Sequence, residues 1–405
     1  MNKLEQVDKY AARLIMLSFV LPMQIQIIAL FAPFIYFIFR TFQVKEHVPV
    51  SNYLWGIFLG TTYLFYLFAL TTTPPAYINV VHQLCEYRLS YLLIPVLFSI
   101  ISPQKTEIIY KELCWFVYFS IAACLITNIS FIVTYSRLPQ GFKGVTHVAY
   151  RIYFEEFCGL HPTYMSMYLA LSAGILFTAT KISSRLKYLL FYVMLALLLP
   201  LLAKSPLIAL ALMLAHQAWL RRHTLWQYKW IFAGMLGVLA LSYLFIPFVS
   251  QRIQEMSGLS GGVQGNINDN SVYVRKMIWE VDSTMARHFW LTGCGPGRIM
   301  QLLKIRYFFY SLHYGYNVNS YDPHNEYFYQ WISFGLTGIL FFIATLLIHF
   351  YNALKKRQHL YFYALLILII TSFTESVLTT QHGLIFYSFF TALFFFCKKR
   401  GEINQ

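Results

Sequence analysis

Long apolar runs, separated by short polar segments, recur along most of the chain. Runs of about twenty apolar residues can cross the hydrocarbon core of a membrane as α-helices. We therefore predict an all-α fold, a polytopic membrane protein. Its approximately twelve spans are expected at residues 11–22, 25–40, 52–70, 76–102, 110–135, 162–180, 188–203, 205–220, 230–249, 326–350, 359–378 and 383–397.

The same pattern divides the chain into four parts. These are N-terminal spans with a first outer loop (1–161), central spans (162–249), a long outer loop (250–323) and C-terminal spans (324–405). In the long loop, residues 257–271 are rich in Gly, Asn and Ser, which is typical of a flexible segment. Residues 271–290 have helical periodicity.

Composition supports a membrane protein and excludes other classes. The chain is 58% hydrophobic and 12% charged, with a mean hydropathy of +0.55, whereas soluble domains carry about 25% charged residues. This excludes a cytosolic enzyme, a secreted disulfide scaffold and a nucleic-acid-binding domain, despite the net charge of +15. The six cysteines lack zinc or redox spacing. Whether Cys158 and Cys294 are joined stays open.

The distribution of Lys and Arg predicts the orientation. Both are absent from the short connections near Met23, Pro74 and Thr380, so these face outward and both termini are cytoplasmic. In the outer loops Arg prevails, at Arg137, Arg151, Arg252, Arg275, Arg287, Arg298 and Arg306. Because Arg binds phosphate through a bidentate fork, this surface favours a phosphorylated lipid ligand. Ordinary surface salt bridges are the alternative.

The strongest candidate for chemistry lies where the long loop re-enters the membrane. Pro323 cannot lie inside a helix, so a helix should begin near His324. The positive end of the helix dipole favours a neutral imidazole, which is the form that a general base requires. Gly335 and Gly338 would let another helix approach closely. The alternative is an interfacial His that only anchors the helix.

This motif resembles the signature of the O-antigen ligase and O-antigen polymerase superfamily. The signature is His, then Asn, Ser or Gln, nine residues, Gly, two residues, and Gly, Thr or Tyr; His324, Asn325, Gly335 and Gly338 match it without gaps. The number of spans and the long loop before the motif also look like this family, and the motifs cover about residues 200–340. The resemblance implies a GT-C-like membrane fold and a catalytic base at His324.

The resemblance also implies roles for two cations. Residues 271–275, followed by Gly293–Gly297, look like a family segment in which Arg contacts the donor diphosphate, so Arg275 is expected to do so. A loop Arg paired with Asp282 is the alternative. Lys204 stands where many members have Ser-Arg, so it could neutralise phosphate only as a point charge. A simple turn residue is the alternative there.

Three further residues could line the same cavity. His161 opens the sixth predicted span at its outer end, or simply marks a turn, and Asn325 adjoins the candidate base. Arg88 lies well inside the fourth predicted span, where a charge is costly and by default functional. It is expected to face the lipid-diphosphate cavity, or to form a structural ion pair with another helix, for example through Glu375.

The reaction implied is a glycosyl transfer at the periplasmic face of the inner membrane. The donor would be a glycan on undecaprenyl diphosphate and the acceptor lipid A–core oligosaccharide, with membrane lipids around the protein and no nucleic acid partner. The intact motif after a long loop favours a ligase; the alternatives are a polymerase, a protein O-oligosaccharyltransferase or, in another class, a flippase. No cofactor or metal is predicted, because neither Asp-x-Asp nor His-Glu-x-x-His occurs.

Overall fold

The computed structural model describes residues 3–137, 145–179, 182–220, 222, 229–246, 249–250, 271–314 and 321–397. Across these ranges the chain is helical and forms no β-strand. The stretch predicted to be flexible lies, apart from Ser271, outside the described residues.

The helices follow one another with short connections. In chain order they are α1 (Lys3–Ser18), α2 (Met23–Gln43), α3 (Val50–Leu59), α4 (Thr62–Thr72), α5 (Ile78–Arg88), α6 (Ser90–Ile100), α7 (Pro103–Lys111), α8 (Leu113–Ser136), α9 (His147–Cys158), α10 (Pro162–Thr178), α11 (Ser184–Leu201), α12 (Lys204–Leu220), α13 (Lys229–Phe245), α14 (Ser271–His288), α15 (Ile299–Tyr314), α16 (Glu326–Lys355), α17 (His359–Ser372) and α18 (Gln381–Phe396). Short 3₁₀ turns occupy Pro75–Tyr77 and Val377–Thr379. The term "outer" denotes the side of the bundle on which His161, Lys204 and His324 lie.

Several helices are long and apolar enough to cross a membrane. In the part of the chain that the structure describes, these are α2, α7 and α8 taken together, α11 and α16, with α3 and α4 as a further span bent by 50°. Helices α17 and α18 are apolar but shorter. An all-α protein with several apolar helices is therefore confirmed, whereas the count of about twelve spans stays a prediction.

Two predicted spans are broken. The run predicted at 52–70 divides into α3 and α4, and the run at 76–102 divides into α5 and α6. A Cβ atom at Gly60 would lie 2.7 Å from the side chain of Leu92. The missing side chain thus allows the junction of α3 and α4 to contact α6, which periodicity alone does not reveal.

Helices α10 and α18 form the centre of the bundle. Both are buried on nearly every face, as expected for helices that are hydrophobic all round. Helix α10 packs against α8, α11, α12 and α17, and α18 packs against α6. Tyr168 of α10 stacks on Phe386 of α18, with 5.9 Å between ring centroids. This packing places the outer ends of α10 and α12 side by side.

Helices α14 and α15 form a smaller apolar cluster against the first turns of α16. Its buried members include Ile278, Leu303 and Ile332, one from each helix. The helix predicted at 271–290 is confirmed as α14. Because α14 is packed in this way, its first turns lie beside the start of α16.

Asp282 of α14 is fully buried in this outer cluster. Neither of its carboxylate oxygens has a hydrogen-bond partner among the described residues. Burial, with a smaller contribution from the negative charge of Asp322, raises the pKa of Asp282 to about 9. The side chain is therefore a protonated, neutral acid at pH 7.

Asp282→Asn is expected to flatten the pH dependence of stability. Above about pH 4 the unfolded chain releases a proton that the folded carboxyl retains, so the free energy of unfolding falls as pH rises. In the wild type, Asp282 should lower the free energy of unfolding by about 1.4 kcal/mol per pH unit between pH 5 and 8, and Asp282→Asn should lack this contribution. Thermal unfolding of both proteins in detergent measures it. The control is Glu280→Gln, an exposed carboxylate of the same helix; equal slopes in wild type and Asp282→Asn would contradict the prediction.

Candidate active site

His324 lies immediately before α16 in a strained backbone conformation. Its φ of 43° is in the left-handed region, which non-glycine residues adopt rarely and often at functional sites. Asn325 caps the helix, because its Oδ1 accepts a hydrogen bond from the N–H of Phe328 at 3.1 Å. Its Nδ2 donates to the carbonyl of Phe373 at 3.1 Å. Asn325 thus connects the start of α16 to the end of α17.

This connection places two carboxylates on the imidazole of His324. Nδ1 lies 3.0 Å from Glu375 Oε2, and Nε2 lies 3.0 Å from Asp322 Oδ1. Burial alone would lower the pKa of His324, but the hydrogen bond to Glu375 and the charges of Glu375 and Asp322 raise it above its ordinary value. The two carboxylates thus favour the imidazolium, whereas the helix dipole, from which a neutral imidazole was predicted, favours the neutral form.

Arg275 of α14 contacts the same carboxylate. Its Nη2 donates to Glu375 Oε1 at 3.1 Å, so the alternative pairing with Asp282 is wrong. Burial would raise the pKa of Glu375, but the hydrogen bond from His324 and the positive charges around it hold that pKa below its ordinary value. Glu375 is therefore an ionised bridge between the candidate base and the candidate phosphate ligand.

A cavity of about 130 Å³ opens beside this bridge, and we call it the outer-rim cavity. Three residues predicted from separate segments line it together: His161, Lys204 and Arg275. The complete lining is His147, Arg151, His161, Pro162, Thr163, Leu201, Leu202, Ala203, Lys204, Ser205, Pro206, Arg275 and Glu375. Asn325 is absent from this lining, so its part in the site is to position the backbone beside His324.

His161 caps α10 at the edge of this cavity. Its Nδ1 accepts a hydrogen bond from the N–H of Thr163 at 3.2 Å, and its Nε2 lies 3.2 Å from Glu155 Oε1. Burial lowers the pKa of His161, although Glu375 and Glu155 oppose that effect. His161 is therefore a neutral imidazole whose Nε2–H donates to Glu155. The pKa of His161 is thus shifted in the opposite direction to that of His324.

Two further cavity residues lie in the first outer loop: His147, which sequence reasoning missed, and Arg151, which it named only among the outer-loop arginines. His147 and Arg151 are four positions apart on α9, so their side chains share a face, and both line the cavity. Thr146 caps this helix by accepting from the N–H of Ala149. A Thr cap followed by a His and an Arg with this spacing was the available signal. It lies far along the chain from the motif at His324.

Arg88 is not brought to the outer-rim cavity. It is only 2% exposed and donates hydrogen bonds to the hydroxyls of Tyr66 and Tyr329, the latter at 2.9 Å. Its guanidinium also lies over both rings, 4.4 and 5.0 Å from their centroids. Glu375, the ion-pair partner suggested by the sequence, is bound to other side chains. Arg88 instead connects α5 to α4 and α16.

Gly335 interrupts α16 and leaves space for residues 291–295 of the outer loop to contact this helix. Its φ of 66° and ψ of −155° are not helical, and a Cβ atom there would lie 2.2 Å from the carbonyl oxygen of Leu291. Cys294 donates its N–H to the carbonyl of Ile332 at 2.8 Å, close to the break. The predicted close approach of another helix at Gly335 is therefore wrong, since the approaching element is a loop.

All six cysteines are free thiols, including Cys158 and Cys294. In the described ranges, no group of three His, Cys, Asp or Glu side chains is arranged to hold a metal ion.

Comparison with known proteins gives a family match over part of the chain. Residues 189–343 match a family model described as O-antigen ligase, and this segment contains Lys204, Arg275 and His324. No curated protein matches the chain significantly. The family is associated with ligase and polymerase activities of the glycosyltransferase type in lipopolysaccharide biosynthesis. The resemblance predicted from the motif at His324 is thus confirmed over residues 189–343, which match the O-antigen ligase model and include that motif.

Proposed function

We propose that this protein is an O-antigen ligase. It would be an inverting, metal-independent glycosyltransferase that moves a glycan from undecaprenyl diphosphate to lipid A–core oligosaccharide at the periplasmic face of the inner membrane. One observation carries the proposal. Arg275, Lys204 and His161 line a single cavity at the outer ends of membrane helices, and Glu375 joins Arg275 to His324.

The outer-rim cavity suits the diphosphate of the donor. Arg151, Lys204 and Arg275 line it, against the single carboxylate of Glu375. Arg can hold phosphate oxygens through two parallel hydrogen bonds, whereas Lys contributes a point charge. As the glycosyl bond breaks, the diphosphate gains negative charge, and cations fixed in advance stabilise that charge most effectively. The polyprenyl chain would extend from the cavity into the lipid.

His324 is positioned to act as the base. The acceptor hydroxyl oxygen bonds to the anomeric carbon, the bond from that carbon to the diphosphate breaks, and the hydroxyl proton passes to His324 Nε2. Direct displacement inverts the anomeric centre. Glu375 on Nδ1 orients the ring and stabilises the imidazolium that forms. Asp322 occupies the Nε2 side with 36% side-chain exposure, against 18% for Glu375, so the acceptor would displace Asp322.

The distribution of charge favours transfer over transport. A flippase would need a cationic path that continues through the membrane. The described cavity cations lie at the outer rim, and Arg88, deeper in the bundle, is enclosed by Tyr66 and Tyr329. The intact motif behind a long outer loop supports a ligase over a polymerase. The two activities differ in the acceptor that receives the glycan.

A two-acceptor assay tests the proposal. Purified protein in detergent would receive a glycan on undecaprenyl diphosphate and either lipid A–core or a second donor molecule, with EDTA and without ATP. Mass spectrometry of the lipids should show transfer to lipid A–core. Lengthening of the polyprenyl-linked chain would identify a polymerase instead. Transfer that EDTA abolishes would contradict metal independence, and no product from either acceptor would contradict glycosyl transfer itself.

A further inference from the structure

A second and larger cavity lies between α4, the loop before α15 and the break in α16. Its volume is about 720 Å³ and it shares no lining residue with the outer-rim cavity. We call it the lateral cavity. Aromatic side chains form one part of its wall, from Phe65, Phe68 and Phe334. Arg298 and Thr72 belong to another part.

Backbone contacts show that this cavity reaches the depth of the membrane helices. Gly295 donates its N–H to the carbonyl of Ser333 at 3.0 Å, and Leu336 donates to Leu291 at 3.2 Å. These residues of α16 follow its first residue by seven and ten positions, or about 10–15 Å along the axis at 1.5 Å per residue. The loop from Leu291 to Gly295 therefore lies well below the outer end of α16.

The helix that follows this loop also presents an apolar face to its surroundings. Phe308, Phe309 and Leu312 of α15 are about 60% exposed each. Their spacing places them on one side of the helix, opposite Leu303 and Tyr307, which are buried. A face of this kind beside a membrane-spanning helix is suited to lipid rather than to water.

Among the residues that the structure describes, Arg298 in the lining of the cavity has no counter-ion. Over the residues that the structure describes, Arg298 has no carboxylate within 4.0 Å, and its Nε is buried without a hydrogen-bond partner. The guanidinium lies 5.9 Å from the ring centroid of Tyr77, in the outer turn between α4 and α5. The cation is thus at the outer end of the cavity. Phe65 lies deeper, seven residues or about 10 Å along α4 from Thr72, the last residue of that helix.

We propose that the lateral cavity binds a phosphorylated membrane lipid. Arg298 would hold the phosphate, and Phe65, Phe68 and Phe334 would enclose the first carbons of the hydrocarbon chain. A guanidinium that has no counter-ion among the described residues, beside the aromatic lining of the cavity, matches an amphiphile in both charge and orientation. A glycerophospholipid and a polyprenyl phosphate share this chemistry. The site is separate from the outer-rim cavity and does not depend on the proposed glycosyl transfer.

Lipid retention by the full-length protein tests this site. Wild type and Arg298→Gln would be titrated in detergent with dioleoyl phosphatidylglycerol, undecaprenyl phosphate and dioleoylglycerol, and bound lipid would be counted by native mass spectrometry. Wild type should retain a phosphorylated lipid saturably and dioleoylglycerol poorly. Loss of the charge-assisted bonds in Arg298→Gln should weaken retention about tenfold or more. Retention of dioleoyl phosphatidylglycerol would indicate a glycerophospholipid site, and retention of undecaprenyl phosphate would indicate a polyprenyl phosphate site.

Two further variants keep the result interpretable. Thr72→Trp narrows the cavity at an exposed position and should also reduce retention while Arg298 is kept. Arg287→Gln removes an exposed cation of α14 that does not line the cavity, and it should retain lipid as wild type does. Equal retention of all three lipids by wild type and Arg298→Gln would show a non-specific lipid coat and overturn the proposal. Retention without glycosyl transfer would count against the proposed function alone.

Discussion

Replacement of His324 by Gln is expected to lower the rate of glycosyl transfer about 10²–10⁴-fold, the usual contribution of a positioned general base. Gln can keep a hydrogen bond to Glu375 but cannot accept the proton of the acceptor hydroxyl. Initial rates of product formation, measured with donor and acceptor in excess, give the comparison. His313→Gln, an exposed histidine at the end of α15, is the matched control and should retain full activity. Near wild-type rates for His324→Gln would remove His324 from catalysis.

The pH dependence of the rate tests the same base in another way. Only the deprotonated imidazole can accept a proton, so the rate should rise with pH through the pKa of His324, which the two carboxylates raise above 6.5. Removing either carboxylate destabilises the imidazolium and lowers that pKa. Asp322→Asn and Glu375→Gln should therefore both move the acidic limb of the profile to lower pH.

The two variants should differ in the rate that they reach at high pH. Glu375 also binds Arg275, so Glu375→Gln should disturb the phosphate-binding side of the site and lower the plateau. Asp322→Asn leaves the contact between Glu375 and Arg275 in place and should keep most of the plateau. Rates measured from pH 5 to 9 decide this. An unchanged acidic limb in both variants would show that His324 is not the titrating base.

Much of the architecture could be predicted because lipid imposes a simple rule on composition. Apolar runs must become helices, since backbone groups in hydrocarbon have no water to bind, and the predicted runs at 162–180 and 205–220 correspond to α10 and α12. Breaks within runs depend on where a neighbouring element needs space. At Gly60, for example, the need for a residue without a side chain follows only from its closeness to Leu92, which the sequence does not show.

The candidate site could be predicted residue by residue but not as a set of contacts. The sequence indicated His324 and Arg275, yet the carboxylate that joins them comes from a different part of the chain, 51 and 100 positions away. Local reasoning about the helix dipole therefore left out Glu375 and Asp322, which raise the pKa of His324. The predictions that Arg88 faces the lipid-diphosphate cavity or pairs with Glu375 were wrong for the same reason. The residues that enclose it, Tyr66 and Tyr329, lie on two other helices.

Gly335→Ala is expected to destabilise the fold more than any other substitution proposed above, by more than about 3 kcal/mol. Two costs combine at this position. The backbone, at φ 66° and ψ −155°, lies in a region that is essentially restricted to glycine. The added Cβ would also meet the carbonyl oxygen of Leu291 at 2.2 Å and its carbon at 2.4 Å, and a backbone neighbour cannot rotate away as a side chain can.

Two other glycines separate these costs. Gly295 has a φ of 85°, but a Cβ atom added there would meet no other atom within 4 Å, and Gly237 has neither a positive φ nor a close neighbour. Gly295→Ala should therefore lose about 1–2 kcal/mol from backbone strain alone, and Gly237→Ala should be neutral or slightly stabilising. Thermal unfolding of the three variants in one detergent gives the order. If Gly335→Ala lost no more stability than Gly295→Ala, the loop would not be in close contact with α16 at Gly335. The depth assigned to the lateral cavity, which was inferred from that contact, would then be wrong.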